Sequence, residues 1–313
     1  MKTIIYLGAD VGFNALEDEV RGRKVVARHI EAIPQAVSAA LEDADALLDA
    51  SMKTRITNEM IHKAERLQII SCATTGSDHI EREEIDRRSI PVRTLKEDRG
   101  LLMDLTPAAE LSWALLMACA RRLPSALDHV KSGKWIRELF PGIMLKGKRL
   151  GIIGCGRIGG WMGRYAASFG MDVAGYDPYL DPLPDSFVPV SLEELFTTSD
   201  FITVHVHLTD ETRGLVSREL LVSARNCAVF INTSRGSVVD ESALLDCLQK
   251  GIIGAAGLDV LEGEPDIDRH PLVEYARKHD NLIITPHCGG FSHDAVRIVC
   301  RRAVEKIVEH LNL

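Results

Sequence analysis

The sequence predicts an α/β protein of parallel, doubly wound sheets, and three observations carry that prediction. Residues 1–100 alternate short apolar strands with helix-like segments, the repeating unit of a parallel sheet. Residues 149–177, RLGIIGCGRIGGWMGRYAASFGMDVAGYD, read as strand, glycine-rich turn, helix and second strand. Beyond them four more apolar strand candidates return with helices between. At 313 residues there is length for two domains, each with its own core.

In the first part, Thr3–Leu7, Lys24–His29, Ala46–Leu48, Leu67–Ser71 and Pro91–Arg93 are the strand candidates. Helix candidates lie around Ala15–Arg23, Pro34–Leu41 and Asn58–Arg66. The stretch Cys72–Ile80, CATTGSDHI, follows the fourth strand. A turn at a strand's C-terminal end, here with Thr75 and Gly76, presents backbone N–H groups where open α/β sheets bind ligands. A plain turn into the next helix is the competing reading. Thr94–Gly100 reads as a charged loop. Thr106 and Pro107 then mark a helix start, with Thr106 as cap. That helix runs apolar nearly all round through Leu111, Trp113, Leu115, Leu116 and Met117. Burial on more than one face is implied, which a subunit interface would supply; the core helix of a monomer is the competing reading.

The glycine-rich stretch is the most informative. Leu150, Ile152 and Ile153 suit a buried parallel strand. Gly154 would permit the tight strand-to-helix turn, Gly156 would let a pyrophosphate approach the backbone, and Gly159 would let the helix pack on the strand. The helix N-terminus offers N–H groups and positive dipole to phosphates. Gly170 is placed to stop the helix, and a second strand ends at Asp177, 21 residues past Gly156. A carboxylate there would bind both ribose hydroxyls of an adenosine. Strand, turn, helix, strand and acid in that order predict a dinucleotide site. Asp200–His205, Asn226–Asn232, Ile253–Leu258 and Asn281–Ile284 continue the sheet. Helical sequence around Leu192–Phe196, Ser217–Ser223 and Glu241–Lys250 separates them, giving a Rossmann domain of about six strands.

Three polar turns follow strand ends: Asn232-Thr-Ser-Arg235-Gly236, Gly257-Leu-Asp259 with Glu264-Pro265, and Thr285-Pro-His287-Cys-Gly-Gly290. In a doubly wound sheet all three would line the cofactor edge. Arg235 would fork onto a substrate carboxylate and polarise a neighbouring carbonyl. His287 would give a proton to the carbonyl oxygen as hydride reaches the carbon, or take it back in the other direction. Glu264 beside it would favour the imidazolium form.

Composition narrows the classes. A formal net charge of −8 gives no general attraction to nucleic acid or to an anionic membrane. The first residues, MKTIIYLGADVGF, read as a buried strand rather than a signal peptide, and the apolar run Leu111–Ala120 is far short of a membrane span. Seven cysteines without a CxxC pair predict a reducing, cytoplasmic setting with neither disulfides nor structural zinc.

The chain resembles the D-isomer-specific 2-hydroxyacid dehydrogenases over essentially its whole length. Seven ordered segments carry the resemblance. They are Thr75-Gly-Ser-Asp-His-Ile80, Ala109-Glu-Leu111, Leu150–Gly159, His205-Val-His-Leu-Thr209 with Thr212, Asn232–Gly236, Leu258-Asp-Val260 with Glu264-Pro265, and Thr285–Gly290. The resemblance implies Arg235, Glu264 and His287 as catalytic residues. It implies Gly154, Gly156, Arg157, Ile158 and Gly159 beneath the pyrophosphate, Asp177 at the adenosine ribose, and Thr233 and Asp259 near the nicotinamide. His205 and Thr212 would be further cofactor residues, and the amides of Thr75 and Gly76 would hold the substrate carboxylate. It implies a flavodoxin-like substrate domain from residues 1–102 and 287–313. A Rossmann NAD-binding domain, residues 103–286, would be inserted into it, with the active site in the cleft. A homodimer through the Glu110–Leu123 helix would follow.

The activity implied is exchange of a hydride between NAD(H) and a 2-oxo acid or D-2-hydroxy acid. Asp177 would repel a 2′-phosphate, and Pro178 and Tyr179 supply no arginine to receive one, so NAD is favoured over NADP. Glutamine would stand in place of Glu264 in the formate-oxidising relatives. Two other readings stay open: an NAD-sensing, corepressor-like interaction module, and a dehydrogenase of a phosphorylated or sugar-derived hydroxy acid. Departures from the pattern are His207, Cys288 and the Lys96–Leu102 loop. Lys96 or Arg99 would select an acidic substrate if that loop is more than a solvated hinge. His205 and His207 would share one face of a strand, although the family context argues against metal. Oxidation at Cys288, next to the proposed acid, could touch activity. The end at Leu313 leaves no room for the regulatory domain of some phosphoglycerate dehydrogenases.

Overall fold

The structure is a computed structural model that describes residues 1–313. Two compact units form, Met1–Leu105 with Phe291–Leu313, and Thr106–Gly290; the sequence reading divided the chain at 102/103 and 286/287. In chain order the first unit contains β1 (Lys2–Leu7), α1 (Asp10–Val20), β2 (Val25–His29), α2 (Pro34–Leu41) and β3 (Ala46–Asp49). It continues with α3 (Asn58–Lys63), β4 (Ile69–Cys72), α4 (Glu83–Arg87), β5 (Val92–Arg93) and α5 (Arg99–Met103). The second unit begins with α6 (Pro107–Arg121), α7 (Leu123–Lys131), β6 (Arg149–Ile153), α8 (Arg157–Ser168), β7 (Asp172–Tyr176), β8 (Val188–Pro189) and α9 (Leu192–Thr198). Then come β9 (Phe201–Val204), α10 (Arg218–Ser223), β10 (Ala228–Asn232), α11 (Glu241–Gln249), β11 (Ile253–Leu258), α12 (Pro271–Ala276) and β12 (Leu282–Ile284). The chain returns to the first unit as α13 (His293–Leu311).

The first unit is a parallel sheet in the order β2-β1-β3-β4-β5, the flavodoxin-like order expected. On α13 the residues Val296, Cys300, Ala303, Val304 and Ile307 recur every three or four positions, so one face is buried against α1 and β4. Helix α1 starts at Asp10, five residues before the expected Ala15. Gly12 lies inside this helix and is needed there. A Cβ there would stand 2.1 Å from the Tyr6 hydroxyl and 2.6 Å from the Cys300 sulfur. The close approach of helix, strand and α13 demands glycine at this point.

The charged segment Thr94–Gly100 is not a loop. The Thr94 hydroxyl accepts from the Lys96 N–H, Leu95–Glu97 forms a 3₁₀ turn over the buried Leu95, and α5 follows. Asp98 faces α13, accepting from Arg302 at 2.7 Å and from Lys306. Lys306, 8% exposed, also donates to the Thr94 carbonyl at 2.6 Å. Lys96 and Arg99 are exposed. Burial alone would push the Asp98 carboxyl up, but Lys306 and Arg302 outweigh it and hold it below the usual carboxylate range.

The second unit holds a seven-stranded parallel sheet in the order β12-β11-β10-β9-β6-β7-β8. The strand beyond the expected six is the two-residue β8. Strand order reverses between β6 and β9, which is where open α/β sheets leave a crevice at their C-terminal edge. Pro107 opens α6 as expected, but Thr106 does not cap it with its side chain; its hydroxyl donates to Glu110 at 2.5 Å. The all-round apolarity of α6 is absorbed inside the unit. Leu115, Leu116 and Cys119 are buried in the core with β6 and β10, and Leu111, Trp113 and Met117 pack against the same cluster. By length and composition Arg99–Arg121 would suffice to cross a membrane, a longer stretch than Leu111–Ala120 suggested. In the fold it is two helices, α5 and α6, assigned to different units.

Asp98→Asn should leave the buried Lys306 without its counter-charge, while Arg302 keeps Glu305 and Glu309, and cost about 3 kcal/mol of stability. The folded carboxyl lies below its unfolded value, so its contribution is present above about pH 4 and lost as pH falls through the folded value. Urea unfolding of wild type and variant at neutral pH measures the difference; equal midpoints would contradict it.

Candidate active site

Strands β10, β11 and β12 are neighbours in register, with Asn232 opposite Leu258 and Leu258 opposite Ile284. Their C-terminal turns therefore emerge side by side, and Arg235, Asp259 and His287 share one edge of the sheet as the sequence implied. Each turn is held by a side chain at its base. The Asn232 amide donates to the Arg235 carbonyl at 3.0 Å while its oxygen accepts from the Ser234 N–H, so a side chain completes the turn that presents Arg235. The Ser234 hydroxyl ties that turn to Val204 of β9 at 2.6 Å. Arg235 itself donates to the Ser234 carbonyl at 2.8 Å.

Asp259 is 1% exposed. One carboxylate oxygen accepts from the Thr285 hydroxyl at 2.5 Å and the Cys288 N–H at 2.9 Å, and the other accepts from the Gly289 N–H at 2.7 Å. Its carbonyl accepts from the His287 N–H at 2.8 Å. The Asp259 carboxylate is engaged in holding the His287 turn. His287 sits at φ +52°, a left-handed conformation rare for a residue with a side chain, and Asp259 braces it from both sides. The His287 ring is bonded through Nδ1 to Glu264, whose other oxygen accepts from the Leu261 N–H at 3.2 Å. Nε2 is left to face outward on a side chain 37% exposed. An imidazole braced by a carboxylate at one nitrogen and open at the other is suited to proton exchange.

Thr233 is pinned to α6. The Ser112 hydroxyl donates to the Ala108 carbonyl at 2.7 Å, so it accepts from Thr233, 2.7 Å away. Ser112 escaped the sequence reading because a serine in an apolar helix carries no distinguishing signal. Thr75 and Gly76 lie in the first unit, in the turn after β4, where the Thr74 hydroxyl donates to the Gly76 carbonyl at 2.8 Å. Cys288, next to His287, is a thiol: burial and then Asp259 push it above its ordinary value.

The glycine-rich turn fits a dinucleotide. Gly154 has φ +86°, and a Cβ on it would lie 2.4 Å from the His205 carbonyl; one on Gly159 would lie 2.0 Å from the Gly154 carbonyl. At Gly156 a Cβ would meet nothing within 4 Å, so that face of the turn is open to a ligand. Helix α8 begins at Arg157, followed by Ile158, with no side-chain cap at Gly156, leaving its positive end for an anion. Asp177 is fixed at the end of β7 by the Cys155 and Tyr179 N–H groups at 2.9 and 3.0 Å. The loop after β9 is closed by Thr212, whose hydroxyl donates to the His207 carbonyl and accepts from the Thr209 N–H.

His205 and His207 do not share a strand face, because β9 stops at Val204. His207 is exposed, whereas the His205 ring bonds Thr203 at 2.8 Å through Nε2 and keeps Nδ1 buried without a partner. Burial pushes its pKa down to about 3. No group of three or more His, Cys, Asp or Glu side chains stands in metal-holding geometry.

The folded His205 value lies far below the unfolded value of about 6.5, so its contribution to stability is full above that pH and is lost as pH falls toward 3. Unfolding free energy should drop by up to about 1.4 kcal/mol per pH unit from this residue alone. Urea titrations at pH 7 and pH 5 should show a shallower slope in His205→Asn; an unchanged slope would contradict the buried neutral ring.

Comparison with known proteins agrees with this geometry. Residues 113–289 match the family model for the D-isomer specific 2-hydroxyacid dehydrogenase, NAD binding domain. Among curated relatives, the D-3-phosphoglycerate dehydrogenase of Methanocaldococcus jannaschii is 38% identical over 271 residues, 85% of this chain and 50% of that protein. The chain thus spans about half the length of that relative, and 47% of its human counterpart. The hydroxypyruvate reductase of Thermotoga maritima is 36% identical over 265 residues, 83% of each chain. Among solved structures, the TT0316 protein of Thermus thermophilus superposes with a TM-score of 0.86 at 33% identity, over 100% of this chain and 97% of its own. A glycine cradle closing on an NAD-binding edge, the family model and these relatives lead to one conclusion: the chain belongs to the D-isomer-specific 2-hydroxyacid dehydrogenase family, and residues 113–289 are its NAD-binding domain.

Proposed function

We propose that the protein interconverts a 2-oxo acid and a D-2-hydroxy acid with NAD, and that Arg235, Glu264 and His287 carry the reaction. The observation that carries this reading is the Glu264–His287 pair, held at the same sheet edge as Arg235 and open at Nε2. Bound NADH supplies a hydride to the substrate carbonyl carbon. In that direction His287 Nε2 donates a proton to the carbonyl oxygen, and in the reverse direction it removes one from the hydroxyl. Glu264 orients the ring through Nδ1. Arg235 forks onto the substrate carboxylate, a geometry that lysine cannot reproduce. Thr75 and Gly76 supply amide N–H groups to that carboxylate, and Asp177 binds the adenosine ribose and disfavours NADP.

Hydroxypyruvate and phosphohydroxypyruvate head the substrates to try, since the relatives are named for that chemistry. A phosphorylated preference would bring the exposed Lys96 and Arg99 into the argument. The homodimer reading moves from α6 to the segment after it. No residue of α7 is buried, and Leu127, Val130, Ile136, Leu139 and Met144 are exposed with Trp135, which is 86% exposed. A second copy covering this apolar surface is what we infer.

With NADH and a panel of 2-oxo acids, one substrate should turn over well. On it His287→Ala should lower kcat by roughly 100- to 10,000-fold with NADH affinity kept. Arg235→Ala should raise KM and lower kcat together. NADH binding without turnover on any acid in the panel would favour the interaction-module reading. Trp135→Asp should convert a dimer to a monomer in sedimentation; a wild type that already sediments as a monomer would refute the interface.

A further inference from the structure

The loop between β11 and α12 carries Glu264, and a buried side chain outside the catalytic set grips that loop on both sides of it. Glu241 is the first residue of α11, where the helix N-terminus favours a carboxylate. Its Oε1 accepts from the Glu262 N–H at 3.0 Å, two residues before Glu264. Its Oε2 lies 3.0 Å from His270 Nε2, at the far end of the same loop. Both side chains are 12% exposed. The tautomer follows from the backbone: His270 Nδ1 accepts from the Leu272 N–H, so the ring proton is on Nε2 and is donated to Glu241. Glu241 therefore faces two N–H donors, a demand that a carboxylate meets and an amide does not.

The loop also presses on the turn that presents Arg235. A Cβ on Gly236 would lie 2.1 Å from the Glu262 nitrogen, 2.2 Å from the Leu261 carbonyl carbon and 2.8 Å from Glu241 Oε1. The two backbones are in direct contact, and only glycine permits it. The Ser237 hydroxyl adds a bond to the Glu262 carboxylate at 2.9 Å. We propose that Glu241, with His270, is a positioning residue that locks the Glu264 loop against the Arg235 turn, so that the proton-handling pair and the carboxylate-binding arginine are set as one body. This rests on the reading of Glu264 and His287 given above. Burial is the largest influence on the Glu241 carboxyl and holds it above its ordinary value, although the Glu262 N–H and then His270 pull it down.

The test uses the full-length protein, the best 2-oxo acid of the panel, and NADH binding read by fluorescence. Glu241→Ala should lower kcat roughly 10- to 100-fold while leaving NADH affinity and the melting temperature near wild type. In the Glu264→Gln background it should cost little more, because the group that it positions is already disabled. Full turnover in Glu241→Ala, or a loss that multiplies with that of Glu264→Gln, would overturn the proposal. Glu264→Gln at wild-type turnover would instead overturn the reading of the acid pair beneath it, a distinct result. If Glu241→Ala does not fold, Glu241→Gln serves, since its amide N–H would oppose His270 Nε2–H. Adding His270→Gln, whose amide oxygen can accept that N–H, should then recover most of the lost turnover; no recovery would count against the lock.

Discussion

The candidate site depends on one buried carboxylate. Asp259 ends the central one of three neighbouring strands and is closed off from solvent. An ion in that position would cost several kcal/mol if left alone, but a hydroxyl and two backbone N–H groups satisfy it. All three donors belong to the Thr285–Gly289 turn, so the charge can be solvated by the protein only if that turn adopts this shape. The shape requires His287 at positive φ, and with it the direction in which the imidazole leaves the backbone. A stability requirement and the orientation of the His287 imidazole are thereby the same requirement.

The same economy recurs on the adjoining strand. The Asn232 side chain closes the turn of Arg235, and Thr233 is moored to α6 through Ser112. The polar residues at these strand ends divide into two kinds. Asn232, Thr233 and Asp259 face inward and build the turns, while Arg235 and His287 are carried outward by them. Sequence motifs do not make that division visible, because both kinds are polar residues at the ends of apolar strands.

What was legible in the sequence was whatever repeats with a period or obeys a fixed spacing. Strand and helix alternation in residues 1–100 foretold a parallel sheet, since apolar runs of four to six residues can be buried on both faces only there. Gly154, Gly156 and Gly159 were legible because each answers a separate steric demand. The elements that were missed are those decided by distant partners. Thr94–Gly100 has the composition of a loop, but Asp98 finds Arg302 and Lys306 about 200 residues further on and the segment winds into helix. Helix α1 begins five residues before Ala15, and the space between Tyr6 and Cys300 demanded a glycine, Gly12, within it. His205 looked like one of a pair on a strand, but the strand ends before it, and burial rather than spacing decides its chemistry. Helix α6 is apolar nearly all round because it packs inside its own unit, whereas the amphipathic pattern of Leu123, Leu127 and Val130 in the next helix leaves its apolar face outward.

Sheet order suits this edge to a dinucleotide rather than a single nucleotide. The glycine turn follows β6, beside the switch point where such sheets receive phosphates. Asp177 follows β7, one strand to one side, while Arg235 lies in the turn after β10, two strands to the other. With neighbouring strands ~4.8 Å apart, the residues to be reached lie on opposite sides of the phosphates, and unequally far from them. A mononucleotide held at the glycine turn extends from its phosphate in one direction only. Two nucleosides joined through a pyrophosphate extend in both, one toward the carboxylate of Asp177 and the other toward the edge where Arg235 and His287 stand.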